Sequence, residues 1–86
     1  MPTPRGGLAA AAVDGMLHVV GGEETSRALD AHEAYDPAAR RWFSLPPLPT
    51  ARHGLGATAV GEQLYVIGGG PRPGLSATGA NEVLHP

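Results

Sequence analysis

The chain has 86 residues, of which Gly and Pro make up 22, and it contains no Cys, which excludes a disulfide scaffold. Six arginines against eight acidic residues give a net charge of -2, whereas a nucleic-acid binder needs a basic excess to neutralise phosphates. The longest apolar run, 8–13, is shorter than the ~20 residues of a membrane span or the ~7 to 15 of a signal-peptide core. We therefore expect neither a nucleic-acid nor a membrane partner, and a cytoplasmic location by default.

An internal repeat organises the chain. A shift of 47 positions places residues 2–22 on residues 49–69 without a gap, and twelve of these 21 pairs are identical. Beyond the Gly-Gly doublets the shift becomes 49 and places 31–37 on 80–86. The two units differ in length within residues 23–30 of the first unit and 70–79 of the second, so this stretch is predicted to be a variable loop.

The first unit predicts four short strands, over 8–13, 17–20, the segment before Asp36-Pro37, and 41–45. Asp14-Gly15 predicts a two-residue hairpin turn between the first two strands. Asp36-Pro37 predicts the turn that ends the third strand, and the prolines after Leu45 end the fourth. The second strand of each unit, 17–20 and 64–67, does not alternate between apolar and polar residues, which suggests a strand that is covered on both faces.

The second unit predicts three strands, the last at about 80–84, with Gly61-Glu62 as the first turn. The first strand of each unit carries small side chains, which suits the crowded position nearest the axis of a ring of sheets; these residues are Ala9 to Ala12 in one unit and Gly54, Gly56, Ala57 and Ala59 in the other. Four short strands every ~47 residues are typical of a propeller blade.

These motifs resemble the kelch repeat: a Gly doublet, then Tyr-Asp-Pro, then Trp, then Leu-Pro-x-x-Pro-x-x-Arg. The residues that carry the resemblance are Gly21, Gly22, Tyr35, Asp36, Pro37, Trp42, Leu45, Pro46 and Arg52, with Gly68, Gly69 and Glu82 in the second unit. The second unit has Leu84-His85-Pro86 in place of Tyr-Asp-Pro. The second glycine of each doublet, Gly22 or Gly69, is expected to lie where a β-carbon is excluded, and Tyr35 and Trp42 are expected to pack between blades.

The resemblance implies an all-β chain of two antiparallel four-stranded blades, the second incomplete, forming an open piece of a β-propeller. The first blade is predicted at about 6–45 and the second at about 54–86 of a single partial propeller, 1–86. Kelch rings usually have six or seven blades, so these two do not close a ring alone. Two alternatives follow: a fragment of a larger propeller, or a protomer that self-associates, for example as three copies with six blades.

Five residues are candidates for binding. Arg5 and Arg52 share a repeat position that the resemblance places near one mouth of the central channel. Each arginine could bind a ligand carboxylate or tie a connection to a neighbouring blade, and its repetition favours the structural role. His53 has Gly6 as its counterpart, so it is a non-repeated neighbour of Arg52. The other candidates lie in the variable loops, where repeat proteins place recognition: Arg27 and Arg72.

The sequence predicts no catalytic residue, metal site or cofactor. Its four histidines lack the paired spacing of zinc ligands, and its serines lack the context of a nucleophile elbow. The predicted function is a non-catalytic binding or scaffold module that presents loops to a protein or carbohydrate partner. The alternative is a scaffold segment of a larger kelch-type enzyme, a galactose-oxidase-like protein or a sugar epimerase, with catalytic residues outside these 86.

Overall fold

The protein is described here by a computed structural model that covers residues 3–24, 26–71 and 81–84. Strands are the regular elements of these residues: β1 (Ala9–Val13), β2 (Met16–Val20), β3 (Glu23–Glu24), β4 (Arg27–Ala28), β5 (His32–Asp36), β6 (Arg41–Ser44), β7 (Gly56–Val60), β8 (Gln63–Ile67) and β9 (Asn81–Leu84). The described residues include no helix long and apolar enough to cross a membrane.

The strands form two antiparallel sheets and one short hairpin. The first sheet has the order β1-β2-β5-β6, and the second has the order β7-β8-β9. The predicted all-β fold of antiparallel, open sheets is confirmed. The stretch 23–30, predicted as a loop, contains the β3–β4 hairpin, which adds two short strands to the first unit.

The hairpin turns follow from the local sequence. Asp14 and Gly15 both have positive φ, 51° and 75°, and they connect Val13 directly to its partner Met16, as a two-residue turn of the primed type requires. At the end of β5 the Asp36 carboxylate accepts hydrogen bonds from the backbone N–H groups of residues 38 and 39, at 3.0 and 3.3 Å. The side chain of Asp36 thereby holds the turn into β6.

The two sheets pack against each other through their first strands, β1 and β7. Small alanines on both strands allow this close approach. The core between the sheets consists of Val13, Val20, Leu48, Leu55, Leu64 and Val66, flanked by Ala9, Ala11, Ala57, Ala59 and Leu84. In each sheet, the face that points away from this core is called the outer face.

The aromatic pair of the first sheet lies on its outer face. Strand register places Tyr35 opposite both Leu17 and Trp42, and side-chain alternation turns this set away from Val13 and Val20. Tyr35 and Trp42 are half-buried and pack on each other, with ring centroids 5.2 Å apart. The second sheet covers the other face, so Trp42 is not packed against a neighbouring sheet among the described residues, and its burial between blades stays a prediction.

The second glycine of each doublet lies where a β-carbon does not fit. Gly22 has φ of 108°, and a β-carbon there would lie 2.8 Å from the carbonyl oxygen of Gly6. Gly69 has φ of 86°, and its β-carbon would collide with the carbonyl oxygen of His53. Each doublet lets another segment approach the end of a strand, where only glycine leaves room.

Candidate functional site

Arg5 lies in a buried network that joins the segment before β1 to the third strand of the same sheet. Its guanidinium donates from Nη1 to Oε1 of Glu33 and from Nη2 to the carbonyl oxygen of Val19, each at 3.1 Å. The hydroxyl of Thr3 donates to the other oxygen of Glu33 at 2.7 Å. The Arg5 side chain is fully buried.

The second unit repeats this network. Arg52 donates to the carbonyl oxygen of Gly68 at 3.1 Å and forms an ion pair with Glu82, while Thr50 donates to the same carboxylate at 2.8 Å. The backbone of Arg52 also bonds to the first unit, because its carbonyl oxygen accepts from Gly22 at 2.7 Å and its N–H donates to Leu29 at 3.0 Å. Arg52 therefore joins the two units.

These contacts give both arginines a structural role. The Arg5 side chain binds to its own sheet. A connection to a neighbouring blade was expected for both arginines, and the backbone of Arg52 makes such a connection to the first unit. A ligand-binding role for either residue stays a prediction. The partners Glu33 and Glu82 were not singled out for this role from the sequence, although their equivalent positions in the repeat were a usable signal.

His53 lies beside Glu23, the first residue of the β3–β4 hairpin. Its Nδ1 is 3.3 Å from an Oε2 of Glu23, and its backbone N–H and carbonyl pair with Gly70. The N–H and C=O of Glu23 in turn pair with Gly6. The geometry thus places a non-repeated histidine beside the β3–β4 hairpin, which the sequence alone did not indicate.

Arg27 lies in this hairpin, on β4. Its Nε donates to the Glu24 carboxylate at 2.9 Å, and both side chains are largely exposed. The hairpin therefore presents one positive and one negative group to solvent. Arg72, the remaining candidate, lies outside the described residues.

The first sheet contains a buried histidine pair that the sequence did not indicate. His18 Nδ1 and His32 Nε2 are 2.8 Å apart, so one nitrogen donates to the other. Burial lowers the pKa of both imidazoles, and that of His32 falls to about 4. The positive charges of His18 and Arg5 lower the pKa of His32 further, whereas a backbone hydrogen bond to Pro46 raises it. Their counterparts are Tyr65 and Asn81, so the second unit contains no such pair.

We expect this pair to make the fold acid-sensitive. The pKa of His32 in the folded chain lies below its ordinary value of 6.5, so between pH 6.5 and pH 4 the unfolded chain binds more protons than the folded chain does. The folded state therefore has its full stability above pH 6.5 and loses part of it as the pH falls toward 4. Each pH unit in this window costs up to about 1.4 kcal/mol for one such group. The measurement is urea unfolding of the native chain and of His32→Asn at pH 7 and pH 5. Equal losses in both proteins would contradict the assignment.

No group of three or more His, Cys, Asp or Glu side chains that could hold a metal ion occurs within 3–24, 26–71 and 81–84. The candidate site consists of the β3–β4 hairpin, with Glu24 and Arg27 exposed, and of the adjacent pair of Glu23 and His53.

Two repeat-related antiparallel sheets, packed through small-residue first strands and held by the same buried Thr-Arg-Glu network, define a blade-repeat protein. Comparison with family models finds a match to the kelch motif over residues 4–49, just over half of the chain. The chain belongs to the kelch-repeat family. No curated protein matches it.

Proposed function

We propose that this kelch-repeat chain is a non-catalytic binding module that presents the β3–β4 hairpin to a protein partner. The observation that carries the proposal is the exposed charged hairpin, which differs from the corresponding stretch of the second unit while the surrounding framework repeats. Features that repeat build the blades, whereas features that vary on a repeated frame are where such proteins place recognition.

The base of the hairpin is held by backbone hydrogen bonds. Gly6 and Glu23 exchange two N–H···O=C bonds, at 3.2 and 2.8 Å, and the N–H of Leu29 donates to the carbonyl of Gly22 at 2.8 Å. The hairpin is thus closed at its base, and its first strand is attached to the segment that precedes β1. A hairpin held in this way loses less conformational entropy on binding than an unattached loop.

The chemistry of the hairpin favours a protein over a carbohydrate partner. Arg27 and Glu24 form an exposed ion pair, which contributes little to stability and can exchange partners with charges on another surface. Arginine is enriched among residues that dominate protein–protein binding energy. The four aromatic side chains lie on the sheet strands β5, β6 and β8 and not at the hairpin.

A displayed library of random peptides, selected on the immobilised chain, tests this proposal. We expect the enriched peptides to bind Arg27→Glu at least ~10-fold more weakly than the native chain, about 1.4 kcal/mol. Glu62→Arg, an exposed charge reversal in the turn of the second sheet, is the matched control and should bind normally.

Enriched peptides that bind Arg27→Glu as tightly as the native chain would place recognition elsewhere. A glycan array is probed in parallel with the same proteins. Glycan binding that Arg27→Glu abolishes, without any peptide enrichment, would replace the protein partner by a carbohydrate.

A further inference from the structure

Strand β6 forms one edge of the first sheet and pairs with β5 on its other side. The N–H of Leu45 donates to the carbonyl oxygen of His32 at 2.9 Å, which continues this ladder by one residue. Residues of an antiparallel strand bond alternately to one side and to the other, so the N–H and C=O groups of Trp42 and Ser44 point away from the sheet. No residue that the structure describes bonds to these groups.

Two arginines beside this edge lack a carboxylate partner. Arg40 and Arg41 are exposed, and neither forms an ion pair with a described acidic side chain, whereas every other described arginine pairs with a glutamate. The guanidinium of Arg41 lies over the ring of Phe43, 4.7 Å from its centroid. Arg40 belongs to the turn that the Asp36 carboxylate closes by accepting two backbone hydrogen bonds. The beginning of β6 therefore carries two positive charges that no carboxylate of the described chain neutralises.

We propose that β6 binds an extended acidic segment of a partner protein as a fifth strand of the first sheet. The segment bonds to the N–H and C=O groups of Trp42 and Ser44, and its carboxylates lie against Arg40 and Arg41. When a strand is added to a sheet edge, main-chain hydrogen bonds supply the affinity and side chains supply the specificity. Opposite charges on neighbouring strands stabilise such a pairing.

The charge of the edge favours an acidic partner over a second copy of this chain. Pairing of two β6 edges would bring two Arg40-Arg41 pairs onto adjacent strands, and like charges at an edge disfavour such pairing. Pro46 and Pro47 have no N–H, so the edge available for pairing ends at Leu45.

The edge lies apart from the β3–β4 hairpin. Strand β6 is located between described segments of the chain, 26–40 and 45–71, and neither sheet places a strand beside its open edge. The proposal is therefore independent of the proposed binding function of the hairpin.

Two displayed hexapeptide libraries, selected on the immobilised chain, test this proposal. In the first library Asp or Glu alternates with Val or Thr, and in the second Lys or Arg takes the acidic positions. We expect enrichment from the acidic library only. Binding of a selected peptide should weaken as the NaCl concentration is raised, because salt screens charges at an exposed surface.

N-methylation of a selected peptide tests the strand pairing without altering the protein. A strand bonds to one neighbour through alternate residues only. Methylation of one alternate set of peptide N–H groups should therefore abolish binding, whereas methylation of the other set should preserve it.

Variants of the chain test the two parts of the edge. Ser44→Pro removes an outward N–H without removing a bond to β5, and it should weaken peptide binding at least ~5-fold. Ser44→Ala retains this N–H and is the matched control, which should bind like the native chain. Replacing both Arg40 and Arg41 by Gln should weaken binding by a similar factor at low salt. Circular dichroism of each variant verifies that the sheets are retained.

Four results would overturn the proposal. The first is no enrichment from the acidic library or equal enrichment from the basic one, and the second is equal binding by the two methylated peptides. Peptides that Arg27→Glu releases and Ser44→Pro does not would belong to the β3–β4 hairpin. Self-association of the native chain that Ser44→Pro abolishes, detected by light scattering, would assign the edge to a second copy.

Discussion

Replacing Arg5 by Leu is expected to lower the free energy of unfolding by about 3–5 kcal/mol. The Arg5 side chain is fully buried and its partner Glu33 is 5% exposed, so the substitution leaves a carboxylate buried without its cation. It also removes the donor to the carbonyl of Val19. Urea unfolding monitored by circular dichroism measures the change.

Two controls distinguish the effect of breaking the buried Arg5–Glu33 pair from the effect of removing an arginine at some other position. Arg27→Leu removes the exposed ion pair with Glu24 and should change stability by less than about 1 kcal/mol. The double variant Arg5→Leu/Glu33→Leu leaves no unpaired charge and should recover part of the loss. If Arg5→Leu and Arg27→Leu cost the same, the structural role of Arg5 is wrong and its candidacy for ligand binding gains support.

Gly22→Val is expected to destabilise the fold by about 3 kcal/mol or more. The side chain would have to adopt a φ of 108°, a region that costs about 1–3 kcal/mol for residues other than glycine. Its β-carbon would also displace the Gly6 carbonyl, which accepts a hydrogen bond from Glu23. For a chain of this size the expected decrease in Tm exceeds about 10 °C in a thermal melt.

Gly6→Ala is the matched control for this substitution. Gly6 contacts the same segment, but its φ is not positive and a β-carbon there would meet nothing within 4 Å. A change within about 1 kcal/mol is expected, since the variant also loses backbone entropy in the unfolded chain. Melts that fall equally for Gly6→Ala and Gly22→Val would refute the account of the doublet as a point of close approach.

The strands and turns could be predicted because their signals are local. The first turn depends only on the dipeptide Asp14-Gly15 between Val13 and Met16, and the strand that follows can be predicted from five residues. The repeat added an independent check, because a second sequence, Gly61-Glu62, forms the same connection between β7 and β8. Element type, order and the glycine positions therefore followed from short-range chemistry.

The side-chain partnerships could not be predicted in the same way. Arg5 and Glu33 are 28 positions apart, and His18 and His32 are 14 apart, so nothing local marks either pair. The β3–β4 hairpin was interpreted as a loop because two residues per strand carry no readable periodicity. The face on which Trp42 lies depends on strand register and on which side the second sheet packs.

The sequence by itself determined that this protein consists of repeated antiparallel strands with a shared register of apolar positions. Only the tertiary structure decided which of two equivalent residues is buried. Val13 and Val60 are the same residue at the same repeat position, yet one lies in the core and the other is exposed. The reason is that burial depends on the neighbouring sheet, and the second sheet covers one face of the first while its own outer face has no such cover within the described chain.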